Sequence, residues 1–154
     1  MPELVINSPV GPLTLIETNR AITAIEWRKG ESHQKTKTLI LARKELTQYF
    51  NGELKKFTAP LDPAGTDFQR RVWKTILEIP YGGLETYKHI ANTLNSSPRA
   101  VGGACGRNPI PIIIPCHRVV GSNGSLTGYT GANGTNTKSF LLKHEGLSTC
   151  HLGA

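Results

Sequence analysis

A cysteine stands directly before a histidine and an arginine in residues 110–124, IPIIIPCHRVVGSNG. The thiolate form of cysteine is a strong nucleophile, but a free thiol with a pKa of about 8.5 is only slightly ionised at neutral pH. Cys116 would need a nearby base, and we predict that this base is His117, with its ring oriented by Glu145 in LLKHEG. Neighbouring residues of a strand point to opposite faces, so Cys116 and His117 can interact only if the chain turns at Pro115 or if a water molecule lies between them. The alternative is that Cys116 is a small buried apolar residue at the end of a core strand.

Other cysteine chemistry fits this sequence less well. Cysteine peptidases hold their cysteine and histidine far apart in the chain, whereas Cys116 and His117 are adjacent. The sequence has no CxxC motif, and a single Cys-His pair cannot complete a tetrahedral zinc site. The three cysteines all lie in the C-terminal third, and their odd number argues against a disulfide framework. We expect Cys105 to fill space in the core and Cys150, in the tail STCHLGA, to be an exposed thiol with no defined role.

The overall charge favours a polyanionic partner. The chain of 154 residues carries 18 Lys and Arg against 11 Asp and Glu, which gives a net charge of +7. Nucleic acids attract such an excess, because contacts between phosphates and Lys or Arg release counterions. No apolar run reaches the roughly 20 residues of a membrane span, and the N-terminus does not resemble a secretory signal. These features predict a cytoplasmic protein with no membrane partner.

The first half of the sequence predicts a small antiparallel sheet and one helix. Hydrophobic residues alternate in ELVINSPVGPLTLIETN and AITAIEWRKG, with turn residues between them. Residues 35–50 then repeat apolar side chains at helical spacing and end at the stop signal Asn51-Gly52. The next segment, ELKKFTAPLDPAG, has three helix breakers and no periodicity. We therefore predict an α+β protein with two domains, residues 1–62 and 63–154.

The second half predicts helices. TDFQRRVWKTILEIP begins with an N-cap at Thr66 or Asp67. Its buried face is expected to hold Phe68, Val72, Trp73, Ile76 and Leu77. TYKHIANTLN and SSPRAVGGACGRN predict two shorter helices with a brief turn between them, the pattern of a helix-turn-helix motif but also of a plain helical hairpin.

The second of these short helices consists mostly of small residues. This composition is unfavourable for a helix, because each interior glycine costs about 1 kcal/mol relative to alanine. One interpretation is that the helix crosses a neighbouring helix closely. The other is that its thin face lets the backbone approach a narrow groove, with Arg99 at its start as a charged probe.

Taken together, the motifs resemble those of a known family. PCHRV follows NPIPIII, RAVGGA lies upstream, and GY and HEG lie downstream. This combination is similar to that of the O6-alkylguanine-DNA alkyltransferases, also called methylated-DNA–protein-cysteine methyltransferases. The resemblance is strong from about Thr66 to Gly146, and in the N-terminal half it is limited to the order and length of the elements. It implies a ribonuclease H-like N-terminal sheet and helix, followed by a helical domain with a helix-turn-helix and an active-site loop.

The resemblance also implies a role for each matching residue. Cys116 would accept the alkyl group, His117 would deprotonate it through a water molecule, and Glu145 would orient the imidazole. Asn108, in RNPIP, would hold the cysteine loop and polarise the site. Tyr87, in TYKHIA, would lie near the phosphate of the target nucleotide and near the oxygen of the leaving group.

Further matching residues would contact DNA or the extruded base. Arg99 would enter the base stack as the target nucleotide leaves it, and the small-residue helix would face the minor groove. Besides Tyr87 and Arg99, the set assigned to substrate and DNA comprises Ala100, Gly102, Gly103, Arg118, Tyr129 and Thr130. Tyr129 and Thr130 would line the base pocket.

The implied function is direct reversal of DNA damage. The protein, as a monomer and without a cofactor, would flip the damaged nucleotide out of the duplex. It would then transfer the alkyl group of O6-methylguanine irreversibly to Cys116, so that one protein repairs one lesion. Activity on O4-methylthymine is left open. The alternatives are a lesion-binding alkyltransferase-like protein, which would lack the acceptor cysteine, and a sequence-specific regulator, which would need base-reading side chains on its second helix.

Three features depart from the pattern of the family. Pro98 directly precedes Arg99, which leaves the start of the recognition helix open. The segment TGANGTNTKSF is longer than in some relatives, which leaves open whether Lys138 matches the lysine of the family. Some relatives bind zinc in the N-terminal domain, but here that half has no Cys and only His33, so we predict no metal site.

Overall fold

The computed structural model describes residues 1–124 and 135–147. The chain divides into two compact units, Met1–Ala64 and Gly65–Ala154. Strands and helices are both present, and the strands of the three-stranded sheet are antiparallel, which confirms the predicted α+β class.

The N-terminal unit contains the predicted antiparallel sheet. Strands β1 (Glu3–Ile6), β2 (Leu13–Thr18) and β3 (Ala21–Glu26) pair in the order β1-β2-β3. The connection between β2 and β3 is a two-residue turn at Asn19 and Arg20, with φ angles of 51° and 66°. Such positive angles match the right-handed twist of a hairpin, and asparagine adopts them more readily than most residues do.

One helix, α1 (Lys37–Phe50), completes the core of this unit. Thr36 caps it by accepting a hydrogen bond from the Leu39 backbone N–H, so the helix begins two residues later than the apolar pattern predicted. Glu45 is buried on the same helix, and its carboxylate accepts hydrogen bonds from the backbone N–H groups of Thr58 and Ala59. These bonds satisfy a buried charge and hold the segment that follows the helix.

The C-terminal unit begins with α2 (Asp67–Leu77), which has the predicted cap at Thr66 in the form of a capping box with Gln69. Val72, Trp73 and Ile76 are buried, as expected. The prediction for Leu77 was wrong, because this side chain is 45% exposed. Leu77 lies about 40° beyond Trp73 on the side away from Val72 and Ile76, which places it past the edge of the buried face.

Two short helices follow, as the sequence predicted. α3 (Tyr87–Thr93) is capped by Thr86, and α4 (Pro98–Gly106) is capped by Ser97 with Pro98 in its first turn. Trp73 of α2 donates a hydrogen bond from Nε1 to the backbone carbonyl of Ala104 at 2.9 Å, which anchors α4 against α2. The buried face of α4 consists of Val101, Ala104 and Cys105.

The remaining elements surround the segment PCHRV. Cys116–Arg118 forms a single 3₁₀ turn, which leads into the short strand β5 (Val119–Val120). β5 pairs in parallel with β4 (Glu85–Thr86), the two residues that directly precede α3. The last helix, α5 (Thr135–His144), packs on the 3₁₀ turn and ends before Glu145 and Gly146, whose φ is +94°.

Candidate active site

The apolar segment before Cys116 is a series of turns and not a core strand. The backbone N–H of Ile114 donates to the carbonyl of Ile110 at 3.0 Å, and Ile112 has a φ of +73°, a conformation that is unusual for a β-branched residue. Pro115 then directs the chain into the 3₁₀ turn. The predicted change of direction at Pro115 is therefore present, and Cys116 does not end a strand.

Asn108 holds the cysteine loop from the side. Its Nδ2 donates to the carbonyl of Ile114 at 2.9 Å and to the sulfur of Cys116 at 3.2 Å. Its Oδ1 accepts a hydrogen bond from the backbone N–H of Ile110 at 2.9 Å. One amide group thus spans both ends of the turns before the cysteine and contacts the candidate nucleophile directly.

His117 and Glu145 form a buried pair. Nε2 of His117 lies 2.7 Å from Oε2 of Glu145, and both side chains are 0% exposed. An ionised carboxylate only accepts hydrogen bonds, so Nε2 carries the proton and Nδ1 is the basic nitrogen. Nδ1 is buried and has no hydrogen-bond partner among the described groups. Burial lowers the pKa of His117 below its usual range, although the hydrogen bond with Glu145 opposes this shift.

Arg118 occupies a different place from the one predicted for it. Its side chain is 7% exposed, and its guanidinium donates from Nε to Oε1 of Glu145 at 2.8 Å and from Nη2 to Oε2 at 3.0 Å. Nη1 donates to the carbonyl of Ile79 at 2.8 Å. A guanidinium bound in this way points into the protein, so we replace the predicted substrate or DNA contact with a role in positioning Glu145. The side chain of Arg118 points inward because residues 116–118 form a 3₁₀ turn, and a strand in this segment would not predict that direction.

Lys138 is a candidate functional residue that the sequence analysis considered but did not place in the site. It is 0% exposed, and its Nζ donates to the carbonyl of Val119 at 2.5 Å and to the hydroxyl oxygen of Tyr87 at 3.3 Å. Burial lowers the pKa of Lys138 to about 8. A signal was available, because Lys138 lies three and four positions before the apolar residues Leu141 and Leu142 and shares their helical face.

The environment of Cys116 combines opposing effects. The residue is 3% exposed, and burial raises the pKa of its thiol, with a further increase from the neighbouring Cys105. The hydrogen bond from Asn108 and the positive charge of Lys138 lower the pKa. The thiol is therefore neutral at neutral pH, and the groups that stabilise a thiolate already lie beside it.

The exposed face of α4 carries the small residues that the resemblance assigned to DNA. Arg99, Ala100 and Gly103 are exposed, and Gly102 is half-buried. A Cβ atom added to Gly102 or Gly103 would meet no heavy atom within 4 Å. These glycines are thus not required by a close helix crossing within the C-terminal unit, and the interpretation in which the thin face approaches an external partner is favoured.

Three predicted positions cannot be placed in this site. Tyr129, Thr130 and Cys150 lie outside the described residues. Within residues 1–124 and 135–147, no group of three or more metal-ligating side chains is found, and no helix is long and apolar enough to cross a membrane. The absence of a metal remains a prediction.

Two family models match the chain. The model of the 6-O-methylguanine DNA methyltransferase DNA binding domain matches residues 67–147, and the model of the ribonuclease-like domain of 6-O-methylguanine DNA methyltransferase matches residues 3–63. Together they account for most of the sequence. The chain therefore belongs to the 6-O-methylguanine DNA methyltransferase family, as the motifs predicted.

Individual relatives agree with this assignment. The methylated-DNA–protein-cysteine methyltransferase of Methanosarcina barkeri is 45% identical over 151 residues, which cover 92% of this chain and 94% of that protein. The crystal structure of the O6-methylguanine methyltransferase of Mycobacterium tuberculosis is similar with a TM-score of 0.82 and 43% identity, covering 93% of this chain and 91% of that one. A crystal structure of Mycobacterium tuberculosis OGT in complex with DNA has a TM-score of 0.83 and 41% identity, and the match covers 99% of each chain.

Proposed function

We propose that this chain repairs DNA by direct reversal and that Cys116 accepts the methyl group of O6-methylguanine from duplex DNA. The family assignment and the names of the curated relatives support the reaction. The arrangement of three side chains around Cys116 supports the roles that we assign to them. Asn108 contacts the sulfur of Cys116, while Glu145 occupies one nitrogen of the adjacent His117 and leaves the other to act as a base.

The first step is activation of the thiol. Nδ1 of His117 takes the proton of Cys116 through a bridging water molecule, which gives an imidazolium and a thiolate. Glu145 stabilises the imidazolium through the hydrogen bond at Nε2, and Arg118 fixes the position of Glu145. Asn108 stabilises the thiolate by donating to the sulfur.

The second step is a single displacement at the alkyl carbon. The bond between the Cys116 sulfur and carbon forms as the bond between carbon and O6 breaks, and the electron pair moves to the guanine ring. Tyr87 supplies a proton to the departing base. Lys138 donates a hydrogen bond to the Tyr87 hydroxyl oxygen and stabilises the negative charge that this transfer leaves behind.

The product explains why the reaction is not repeated. Transfer leaves a thioether on Cys116, and a thioether has no acyl carbon that water can attack. The described site holds no second group that would remove the methyl. One protein molecule therefore repairs one lesion.

The DNA-binding part of the proposal rests on α4 and on charge. Residues 65–154 contain nine Lys and Arg against four Asp and Glu, a larger excess than in residues 1–64, which contain nine against seven. Salt-dependent binding to phosphates follows from such an excess. The exposed side of α4 enters the minor groove, and Arg99 fills the space of the extruded nucleotide, as inserted side chains do in other minor-groove proteins.

The experiment that tests the acceptor is mass spectrometry of the intact protein. After incubation with duplex DNA that contains O6-methylguanine, the protein is expected to gain one methyl group, with the gain saturating at one per chain and mapping to the peptide of Cys116. The variant Cys116→Ser should keep its affinity for DNA and gain no methyl group. A methyl group on another residue, or none despite tight binding, would refute the assignment.

The alternatives receive less support. A lesion-binding protein without transfer does not need Cys116, whereas here the sulfur is contacted by Asn108 and lies beside the His117–Glu145 pair. A sequence-specific regulator needs several base-reading side chains on its second helix, and beyond Arg99 in its first turn the exposed face of α4 offers mainly Ala100 and Gly103.

The cellular location and the oligomeric state of the protein are also part of the proposal. The relatives described above come from an archaeon, Methanosarcina barkeri, and a bacterium, Mycobacterium tuberculosis, whose chromosomes lie in the cytoplasm, so we place this protein there too. We expect a monomer, because one chain supplies every proposed catalytic group. Sedimentation with and without a duplex that carries one lesion would test this expectation, and a stable dimer on DNA would contradict it.

A further inference from the structure

The turn between α2 and β4 lies against the buried ion pair of the candidate active site, and the proposed transfer gives it no part. This IPYGG turn, residues 79–83, is closed by a hydrogen bond from the backbone N–H of Gly83 to the carbonyl of Pro80 at 2.8 Å. Gly82 has a φ of +78°, which a type II turn requires at its third residue. Tyr81, the second residue of the turn, is half-buried.

Three contacts join the IPYGG turn to Arg118 and Glu145. The central carbon of the Arg118 guanidinium lies 5.8 Å from the centre of the Tyr81 ring, which is within the range of a cation–π contact. Nη1 of Arg118 donates to the carbonyl of Ile79 at 2.8 Å. A Cβ atom added to Gly82 would lie 3.4 Å from the carbonyl oxygen of Glu145, so the turn also lies against the backbone of that residue.

The hydroxyl of Tyr81 reaches the end of α5, directly before Glu145. It donates to the carbonyl of His144 at 3.3 Å. The last carbonyls of a helix have no partner within the helix, and Tyr81 supplies one here. On the other side, the backbone N–H of Glu145 donates to the carbonyl of Leu141 at 3.0 Å. One side chain therefore contacts both the guanidinium that holds the Glu145 carboxylate and the backbone that leads into Glu145.

We propose that Tyr81 is a positioning residue for the catalytic base, holding Glu145 against His117 by covering Arg118 with its ring and by fixing the end of α5 with its hydroxyl. Water that reached the ion pair would weaken it, because charges attract each other less strongly in a medium of higher dielectric constant. Burial, followed by the charge of Glu145, raises the pKa of Tyr81, so its hydroxyl remains a donor. This role rests on the proposed function, because it concerns the base that activates Cys116.

The loss of Tyr81 should affect the rate in a pH-dependent way. Three charged groups face His117, and they belong to Glu145, Arg118 and Lys138. Only the carboxylate favours the imidazolium, so a displaced or hydrated Glu145 makes transfer of the Cys116 proton to His117 less favourable. At high pH, hydroxide removes the thiol proton directly, and the strength of the base matters less. A general structural defect would instead slow the reaction at every pH.

The test measures the rate at which the full-length protein gains a methyl group from saturating duplex DNA that carries O6-methylguanine. At neutral pH, Tyr81→Ala should be about tenfold slower than the wild type, equivalent to about 1.4 kcal/mol and within the range of a desolvated cation–π contact. This difference should shrink as the pH rises, and the affinity for the duplex should not change. Tyr81→Phe keeps the ring and should recover most of the rate. Tyr81→Leu, which keeps apolar bulk without the ring, gives the same test if thermal unfolding shows that Tyr81→Ala does not fold.

Two further variants separate positioning from a general loss of packing. Phe68→Ala removes a half-buried aromatic ring from α2 of the same unit and is the matched control, with no loss of rate that depends on pH. In a Glu145→Gln background, Tyr81→Ala should cause no further slowing, because the group through which Tyr81 acts is already gone.

The proposal is overturned if Tyr81→Ala transfers at the wild-type rate, if its deficit is the same at every pH, or if it slows Glu145→Gln by the same factor as the wild type. Failure of the proposed function would look different, since the wild type would then gain no methyl group on Cys116 at any pH.

Discussion

Substitution of Gly103 should raise stability and lower repair of duplex DNA at the same time. Gly103 is exposed inside α4, and an added Cβ atom would meet nothing within 4 Å. Gly103→Ala should therefore gain the difference in helix propensity, about 1 kcal/mol. For a cooperative unit of about 90 residues, this free energy corresponds to an increase in Tm of about 4–8 °C. The bulkier Gly103→Gln should also be more stable than the wild type.

The same variants should weaken the approach of α4 to the minor groove. We expect transfer from a duplex carrying O6-methylguanine to fall about tenfold in Gly103→Gln, equivalent to about 1.4 kcal/mol, and less in Gly103→Ala. The rate with the free alkylated base should not change, because the site around Cys116 is untouched. Thr47→Gln, an exposed substitution in α1 of the other unit, is the control and should alter neither rate. Unchanged duplex repair in Gly103→Gln would refute the proposal that α4 faces the minor groove. A lower Tm in either Gly103 variant would contradict the open space around this residue.

Three further predictions concern the buried polar groups of the site. Arg118→Met should destabilise the C-terminal unit by about 3–5 kcal/mol, because Glu145 would keep a buried charge without its guanidinium partner. In urea unfolding, the double variant with Glu145→Met should lose less free energy of unfolding than the sum of the losses in the two single variants. Additive losses would contradict a coupled pair. Lys138 is charged below about pH 8 and neutral above it, and loss of its charge removes a group that favours the Cys116 thiolate. The rate of transfer from the free alkylated base should therefore rise less steeply with pH above about 8. Lys138→Met should react more slowly and lack this change of slope, and a pH profile like that of the wild type would exclude a role of Lys138 in stabilising the thiolate. Asn108→Ala should slow transfer to Cys116 at neutral pH and shift the rise in rate to higher pH, since a hydrogen bond that favours the thiolate is lost; an unshifted profile would assign Asn108 to loop structure alone.

Local sequence signals predicted the elements that carry the site. Thr66, one of the two N-cap residues that the sequence predicted for α2, caps that helix, and Thr86 and Ser97 cap α3 and α4 in the same way. Such signals work because the cap and the first turn interact within a few residues, so tertiary structure has little to add. The sequence also indicated that Cys116 need not lie in a strand, because Pro115 allows the chain to change direction directly before it.

The roles of Arg118 and Lys138 could not be predicted in the same way. Arg118 is adjacent to His117 in sequence, but its direction depends on the 3₁₀ turn and on the position of Glu145, which lies 27 residues away. Lys138 stands on the apolar face of its helix, but only the packing of α5 against the 3₁₀ turn shows that its charge is satisfied by the carbonyl of Val119 and by a tyrosine hydroxyl. Both are long-range contacts of charged side chains, and a positively charged residue in the sequence is most often exposed.

Burial shifts the pKa values of Cys116 and His117 in opposite directions and leaves both groups neutral. The pKa of the thiol is raised and that of the imidazole is lowered, so the resting site contains a thiol and a base instead of an ion pair. The groups that favour charge separation are arranged on the correct sides, with Lys138 and Asn108 near the sulfur and Glu145 at the imidazole. A permanent thiolate would react with any electrophile small enough to enter, which would inactivate a protein that has a single acceptor. Under the proposed function, a neutral pair that ionises only during transfer would preserve the acceptor until an alkylated base is in place.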